Sequence, residues 1–397
     1  MAAATARGYR PRITIFTRSY PPAYLAGGPA RSLHGLVETL AADFRFSVVT
    51  SAFDGPVGGL MTSVTVDRWT RFGHAATWYE LGRRRRPWQA AALLRTTRPQ
   101  VVYLNSLFDF RFSILPLLAT RLMPRQVPVV LAPRGELAGG ALALSRAKKR
   151  LFIAVFRALG LHRAITWHAS TEQEQADIER VFGAEVRSRV AIDLRAGLAD
   201  SPGAARPAPA RPGTCSLVFF ARIVPVKNLA AVIGALSLVT APGVRLTIGG
   251  PVEDAKYWAQ CQQLISGLGE PAAVSYVGAV PAHQAVSFLG QFDLLVLPTL
   301  GENFGHVVLE SLAAGTPVVV GRETPWRQVE TAGAGWLCNP DDPAEIADLI
   351  GRFAALNDTD RLGMRRAARG VADAVLADQN GVAANRLLFR GVAGRQT

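Results

Sequence analysis

The chain has 397 residues, 49% of them hydrophobic, with 44 Lys+Arg against 30 Asp+Glu for a net charge of +14. Its length suits two or three domains at about 150 residues each, and its composition excludes a disordered chain. No run reaches the roughly 18 apolar residues that cross a bilayer, and no zinc-finger, RNA-recognition or basic-zipper pattern supports a nucleic-acid partner.

In chain order, residues 12–17 read as the first strand, followed by the turn-rich Ser19-Tyr-Pro-Pro-Ala-Tyr-Leu-Ala-Gly27-Gly28-Pro29. A helix over about 30–42 and a strand over 46–51 follow, with further strands at 101–105, 127–132 and 164–169. Strands alternating with helices imply a parallel sheet covered on both faces. The pattern then breaks at 199–213, which holds four prolines and two glycines without periodicity, the composition of a linker. We therefore take 1–198 as one domain. A second, 214–378, has strands at 215–220, 245–249, 274–277, 294–297 and 317–320. Its helices fall near 228–240, 254–268, 343–356 and 359–377. Doubly wound domains bind ligands outside the carboxyl ends of their strands, and two of them joined by a linker bind in the cleft between.

Candidate residues sit at those ends. Gly27-Gly28-Pro29 opens a helix after the first strand, where a backbone can approach phosphates; an ordinary turn is the plain alternative. It is not a G-x-G-x-x-G, and no P-loop occurs. Asn105 closes a strand, and Ala132-Pro-Arg134-Gly-Glu136 follows another. Arg134 suits a phosphate or acceptor and Glu136 an acceptor hydroxyl, against the alternative of an Arg–Glu surface pair. His168, near a strand end, reads as structural. Residues 147–160 mix Lys148, Lys149 and Arg150 with apolar side chains. That pattern suits a helix on an anionic membrane, with Arg83–Arg86 and Trp88 assisting, or equally a core helix. Arg222 and Lys227, five apart beyond a strand, match the charge of a diphosphate, against the alternative of two solvated basic residues on a loop. Asp358-Thr-Asp360 sits where a helix cap is expected and is read as no metal site.

The segment Pro298-Thr-Leu-Gly-Glu302-Asn-Phe-Gly305-His-Val-Val-Leu-Glu310-Ser-Leu-Ala-Ala-Gly315-Thr-Pro317 is the most specific in the chain. It reads as a strand end, a tight loop and a helix N-terminus, with two carboxylates able to accept bonds from vicinal hydroxyls. It resembles the signature of family 4 glycosyltransferases. Phe219-Phe-Ala-Arg222-Ile-Val-Pro-Val-Lys227-Asn, Leu246-Thr-Ile-Gly249-Gly250-Pro and Val274-Ser-Tyr-Val-Gly278 continue the resemblance upstream.

The resemblance implies a GT-B fold, two Rossmann-like α/β domains facing across a cleft, with a terminal helix (379–397) crossing back to the first. It implies sugar transfer with retention from a nucleoside-diphosphate sugar to a glycan or lipid-linked acceptor, with no metal or other cofactor. Arg222, Lys227 and Glu302 are the catalytic residues it implies, the two cations on the donor phosphates and Glu302 beside the sugar. Asn303, Phe304 and Gly305 would approach the sugar through backbone amides, and Glu310 would bind the ribose hydroxyls. Gly27 and Gly28 join the donor site, and Arg134, Glu136 and Asn105 are acceptor or phosphate candidates. Arg134 stands where many family members carry a histidine, so a histidine role does not transfer.

An epimerase or glycan phosphorylase of the same fold, or a non-catalytic nucleotide-sugar-binding protein, are the alternatives; no phosphorylase cofactor lysine is found. Cys215, Cys261 and Cys338 have no metal or disulfide spacing, and Met1 is not followed by a signal-peptide pattern. The expectation is a cytoplasmic protein, peripheral on the inner face of a membrane. The charge also suits an acidic partner such as a phosphorylated substrate or an anionic bilayer, against the plain alternative of an Arg- and Ala-heavy composition bias.

Overall fold

The structure, a computed structural model, describes residues 9–394 apart from 24, 26, 56–57, 83–86, 140–141, 143–145, 196–214 and 270–273. The Pro-rich stretch 199–213 and the Arg83–Arg86 run thus lie outside the described residues. Two compact units divide the chain: residues 1–196 with 379–397, and residues 197–378.

Unit 1 is built on β1 (Arg12–Thr17), β2 (Arg45–Ser51), β3 (Trp69–Phe72), β4 (Ala75–Glu80), β5 (Val101–Asn105), β6 (Val129–Ala132), β7 (Thr166–Ala169) and β8 (Arg187–Val190). They form one sheet in the order β3-β4-β2-β1-β5-β6-β7-β8. β3 pairs antiparallel with β4, and the other pairings are parallel. The two faces bury different residues, as the period of two demands. Ile13 and Ile15 of β1 pack with Leu33, Leu36, Val37 and Leu40 of α1 (Gly28–Leu40). Phe16 joins the opposite core with Phe156, Trp167 and Phe182.

The helices α2 (Pro87–Thr97), α3 (Leu115–Arg121), α4 (Arg146–Ala158) and α5 (Glu172–Phe182) complete the crossovers. The terminal helix, Gln379–Ala393, also packs on this unit: Leu388, Phe389 and Val392 are buried with the α1 core. Each such side chain contributes about 1.5–3 kcal/mol on burial. Asn385 Nδ2 donates to Ile192 O at 2.8 Å, and Arg386 and Arg390 each reach Asp43 at 2.8 Å.

Unit 2 has β9 (Cys215–Phe220), β10 (Val244–Gly249), β11 (Val274–Gly278), β12 (Leu294–Leu297), β13 (Val318–Gly321) and β14 (Gly335–Cys338), all parallel in the order β11-β10-β9-β12-β13-β14. β12 and β13 are buried along their whole length, so they read as unbroken apolar runs.

Seven helices accompany the described strands: α6 (Leu229–Leu236), α7 (Ala255–Ser266), α8 (Ala285–Leu289), α9 (His306–Ala313), α10 (Gln328–Thr331), α11 (Pro343–Ala354) and α12 (Asp358–Leu376). α6 packs with α7 and α11, and α9 with α8 and α12, giving two helix groups. Asn357, rather than either aspartate, caps α12; Asp358 and Asp360 lie in its first turn, where carboxylates suit the helix dipole.

In each sheet the strand order reverses once at the centre, between β1 and β5 and between β9 and β12. Loops leaving the two strands at such a switch point diverge and leave room for a ligand. No helix among the described residues is long and apolar enough to cross a membrane.

Candidate active site

In unit 2 the chain leaves β10 pressed against the chain leaving β9. Gly250 has φ 138°, and a Cβ there would stand 1.9 Å from the carbonyl oxygen of Ala221, so glycine is required. Ile223 N donates to Pro251 O at 2.9 Å across the same crossing. Arg222 emerges there with 39% of its side chain exposed, its Nη1 donating to Glu253 Oε2 at 2.8 Å.

A single 3-10 turn, Pro225–Lys227, follows, and Asn228 (φ 60°) starts α6. The loop leaving β12 is bonded to that turn. Leu300 N donates to Val226 O at 2.9 Å, and Thr299 Oγ1 donates to the same oxygen at 3.0 Å. These two bonds set the side chains that follow them face to face: Lys227 Nζ lies 2.5 Å from Glu302 Oε2, with 13% and 17% of the side chains exposed.

Gly305 (φ 82°) begins α9 and has no side chain with which to cap it. A Cβ at Gly305 would lie 2.6 Å from Trp326 Nε1, the indole nitrogen that donates to Phe304 O at 2.5 Å. The Phe304 ring meets Trp326 edge to face at 5.8 Å. Glu310, farther along α9, is wholly buried. Arg222, Lys227, Glu302, Asn303, Phe304 and Gly305 thus stand on the two loops that leave the neighbouring strands β9 and β12. Glu253 and Trp326, which hold this arrangement, carry no signal in the sequence.

Unit 1 places its candidates in a buried polar network. Gly27 (φ 70°) precedes α1, and Ser32 on that helix donates Oγ–H to Asp193 Oδ2 at 2.8 Å. The other Asp193 oxygen pairs with Arg134 Nη1, the two side chains being 4% and 6% exposed. Arg134 Nε donates to Asn105 Oδ1 and Nη2 to Tyr103 OH, both at 2.8 Å. Asn105 Nδ2 reaches Thr17 Oγ1 at 3.3 Å.

His168 Nε2 lies 2.8 Å from Ala191 O and Nδ1 2.8 Å from Tyr103 OH. A carbonyl only accepts, so Nε2 carries the proton and Tyr103 donates to Nδ1. Burial, reinforced by the Arg134 charge, lowers His168 to about 4. Burial works against the Arg134 charge, but Asp193, Tyr103 and Glu174 prevail and hold it above its ordinary value.

The Glu136 carboxylate accepts from Ser106 Oγ and Leu107 N at 2.6 Å and Phe108 N at 3.2 Å. Burial raises it despite those bonds. The polar groups of Arg134, Glu136 and Asn105 are therefore engaged by the protein itself, at the carboxyl ends of β5 and β6. Tyr103, Asp193 and Ser32 belong to the same network and escape sequence reasoning. The only clue to them is that a buried guanidinium demands a carboxylate.

Two α/β units of this kind define the GT-B class, and solved structures agree. The protein superposes on Anabaena HepE in complex with UDP-glucose at a TM-score of 0.73, with 17% identity, over 97% of this chain and 100% of that one. Residues 206–370 match the family described as glycosyl transferases group 1, and residues 27–192 the glycosyl transferase 4-like domain. The chain belongs to the GT4-like glycosyltransferases.

Two relatives are D-inositol 3-phosphate glycosyltransferase of Acidothermus cellulolyticus and GDP-mannose-dependent alpha-(1-6)-phosphatidylinositol dimannoside mannosyltransferase of Mycobacterium tuberculosis. The first is 33% identical over 35% of this chain and 33% of its own length. The second is 31% identical over 40% of each. The chain thus spans well under two thirds of the length of either relative.

Proposed function

We propose that the protein moves a sugar, with retention, from a nucleoside-diphosphate sugar to a glycan or lipid-linked acceptor, and that it does so without a metal ion. The observation that carries this reading is the Lys227–Glu302 contact, made by two loops tied together at a switch point with Arg222 on the adjoining chain. In the resting protein the Lys227 ammonium faces a carboxylate. An arriving diphosphate takes over the ammonium, and Glu302 turns to accept from the sugar hydroxyls.

The bond between C1 and the diphosphate oxygen breaks as the acceptor oxygen bonds to C1 on the same face. The acceptor proton passes to the departing phosphate, and Arg222 and Lys227 stabilise the charge that develops there. Glu310 receives the ribose hydroxyls; being wholly buried, it is met only by a nucleoside that enters deeply. HepE, which has the same fold, is known with UDP and with UDP-glucose bound, and that supports the donor class.

We put the acceptor at an anionic membrane surface, a reading that an exposed stripe on α4 supports. Leu151, Val155 and Leu159 recur every fourth residue along α4 and just past its end, with 68%, 49% and 59% of each exposed. Lys148, Lys149 and Arg150 adjoin them. An apolar stripe beside basic residues suits the interface of an anionic bilayer.

The test is release of nucleoside diphosphate from UDP-, GDP-, ADP- and TDP-sugars in the presence of lipid-linked acceptors. Lys227→Ala should cost about 2 kcal/mol or more in turnover, roughly thirtyfold. A variant that turns over as fast as the wild type would exclude Lys227 from the reaction.

A further inference from the structure

At the β3 edge of the unit 1 sheet lies a hollow of about 470 Å³, formed by residues of β3, β4 and α2 and by the chain flanking the two strands. That volume falls in the range of small-molecule sites, about 300–1,000 Å³. Trp69 and Trp78 stand opposite each other in the antiparallel pair, ring centroids 5.6 Å apart at 63°, and both are only partly buried. Leu93 of α2 adds apolar wall, and Asp67, Glu80 and Gln89 add polar groups.

The ligand chemistry follows from this set. An aromatic face carries negative charge and attracts electropositive C–H groups, and an edge-to-face pair does not cover both faces of both rings. Carboxylates accept from hydroxyls, and a primary amide both accepts from and donates to them. A phosphate is disfavoured by the carboxylates. A cation is not demanded either: the Glu80 charge is already met by Arg111, whose Nε and Nη2 lie 2.8 and 2.6 Å from Oε2, and Asp67, which accepts from Leu81 N at 3.2 Å, is exposed, so water solvates its charge. A neutral ring with C–H faces and hydroxyl edges satisfies all of these conditions.

We propose that the Trp69–Trp78 hollow binds a neutral pyranose of the acceptor chain, so that the protein recognises a glycan longer than the single sugar it extends. This rests on the glycan-acceptor reading above.

The test is calorimetric titration of the full-length protein with neutral manno-, gluco- and galacto-tetraoses, and separately with the nucleotide-sugar panel. One tetraose should bind. Trp78→Ala should weaken it at least about tenfold, and Gln89→Ala, on the exposed side of α2, by about threefold, with nucleotide-sugar affinity unchanged in both. If Trp78→Ala fails to fold, Gln89→Ala decides. Binding of no tetraose, or equal binding by the folded variants, overturns the proposal. Nucleotide-sugar binding without tetraose binding removes this subsite alone. Tetraose binding with no nucleotide-sugar binding keeps the subsite and removes the transferase reading.

Discussion

Removing Asp193 should be among the most damaging single changes in unit 1. Its carboxylate is 4% exposed and the Arg134 guanidinium 6%, so water screens neither charge. Breaking such a pair by deleting one partner costs about 3–5 kcal/mol, because the survivor stays buried and uncompensated. Asp193→Ala also takes the acceptor from the Ser32 hydroxyl, which ties α1 to the strand ends. For a unit of this size, 1 kcal/mol moves the melting temperature by about 2–4 °C. The calorimetric transition of unit 1 should therefore fall by roughly 6–20 °C. Replacing both partners with apolar residues, Arg134→Met with Asp193→Leu, should recover part of the loss, since it removes the uncompensated buried charge while Ser32 Oγ and Asn105 Oδ1 still lose their partners. A single variant within about 2 °C of the wild type, or a double variant as damaged as the single, would refute the reasoning.

His168 sets a pH limit on the same network. Its value in the fold, about 4, lies below the ordinary 6.5, so between those values the unfolded chain takes up a proton that the folded chain refuses. The contribution is complete above about pH 6.5 and is lost as pH falls toward about 4, about 3 kcal/mol in all. Glu136 and Glu174, raised by burial, act in the opposite sense, losing stability as pH rises. Comparing the wild type with His168→Gln cancels their effect, and urea denaturation at pH 7 and pH 4.5 should show the shallower fall for the variant. Gly305→Ala puts a side chain at φ 82° and 2.6 Å from the Trp326 indole nitrogen. The left-handed conformation alone costs about 1–2 kcal/mol. The unit 2 melting temperature should drop and donor turnover fall with it; a variant with wild-type melting and turnover would show that the loop tolerates a Cβ.

The strands most plainly legible in the sequence were those buried on both faces. β1, β5, β9 and β12 have the bounds that their apolar runs between polar neighbours suggest. The strands expected from the sequence do not include β3, β4, β8 or β14. β8, Arg187-Ser-Arg-Val, has no apolar run and exists because β7 offers it a partner. β3 is a half-exposed edge turned back by Gly73, and β14 is four residues opening on a glycine. The unit 2 loops were legible because Glu302 to Gly305 are contiguous and Arg222 and Lys227 five apart. The unit 1 network was not, because Ser32, Tyr103, Arg134, His168 and Asp193 meet only after α1, three strands' ends and the chain beyond β8 are in place. Arg134 and Glu136 stood out as charges after a strand, and nothing local indicated that both would be turned inward.

The central claim is that the unit 2 loops hold a nucleoside diphosphate, with Glu310 on the ribose. It is tested most directly by titrating UDP-, GDP-, ADP- and TDP-sugars into the wild type and into Glu310→Ala. One nucleotide should bind the wild type, and the variant should bind it at least about tenfold more weakly, the loss expected for hydrogen bonds to a charged acceptor. Binding of none of the four, or equal affinity for both proteins, would contradict the account.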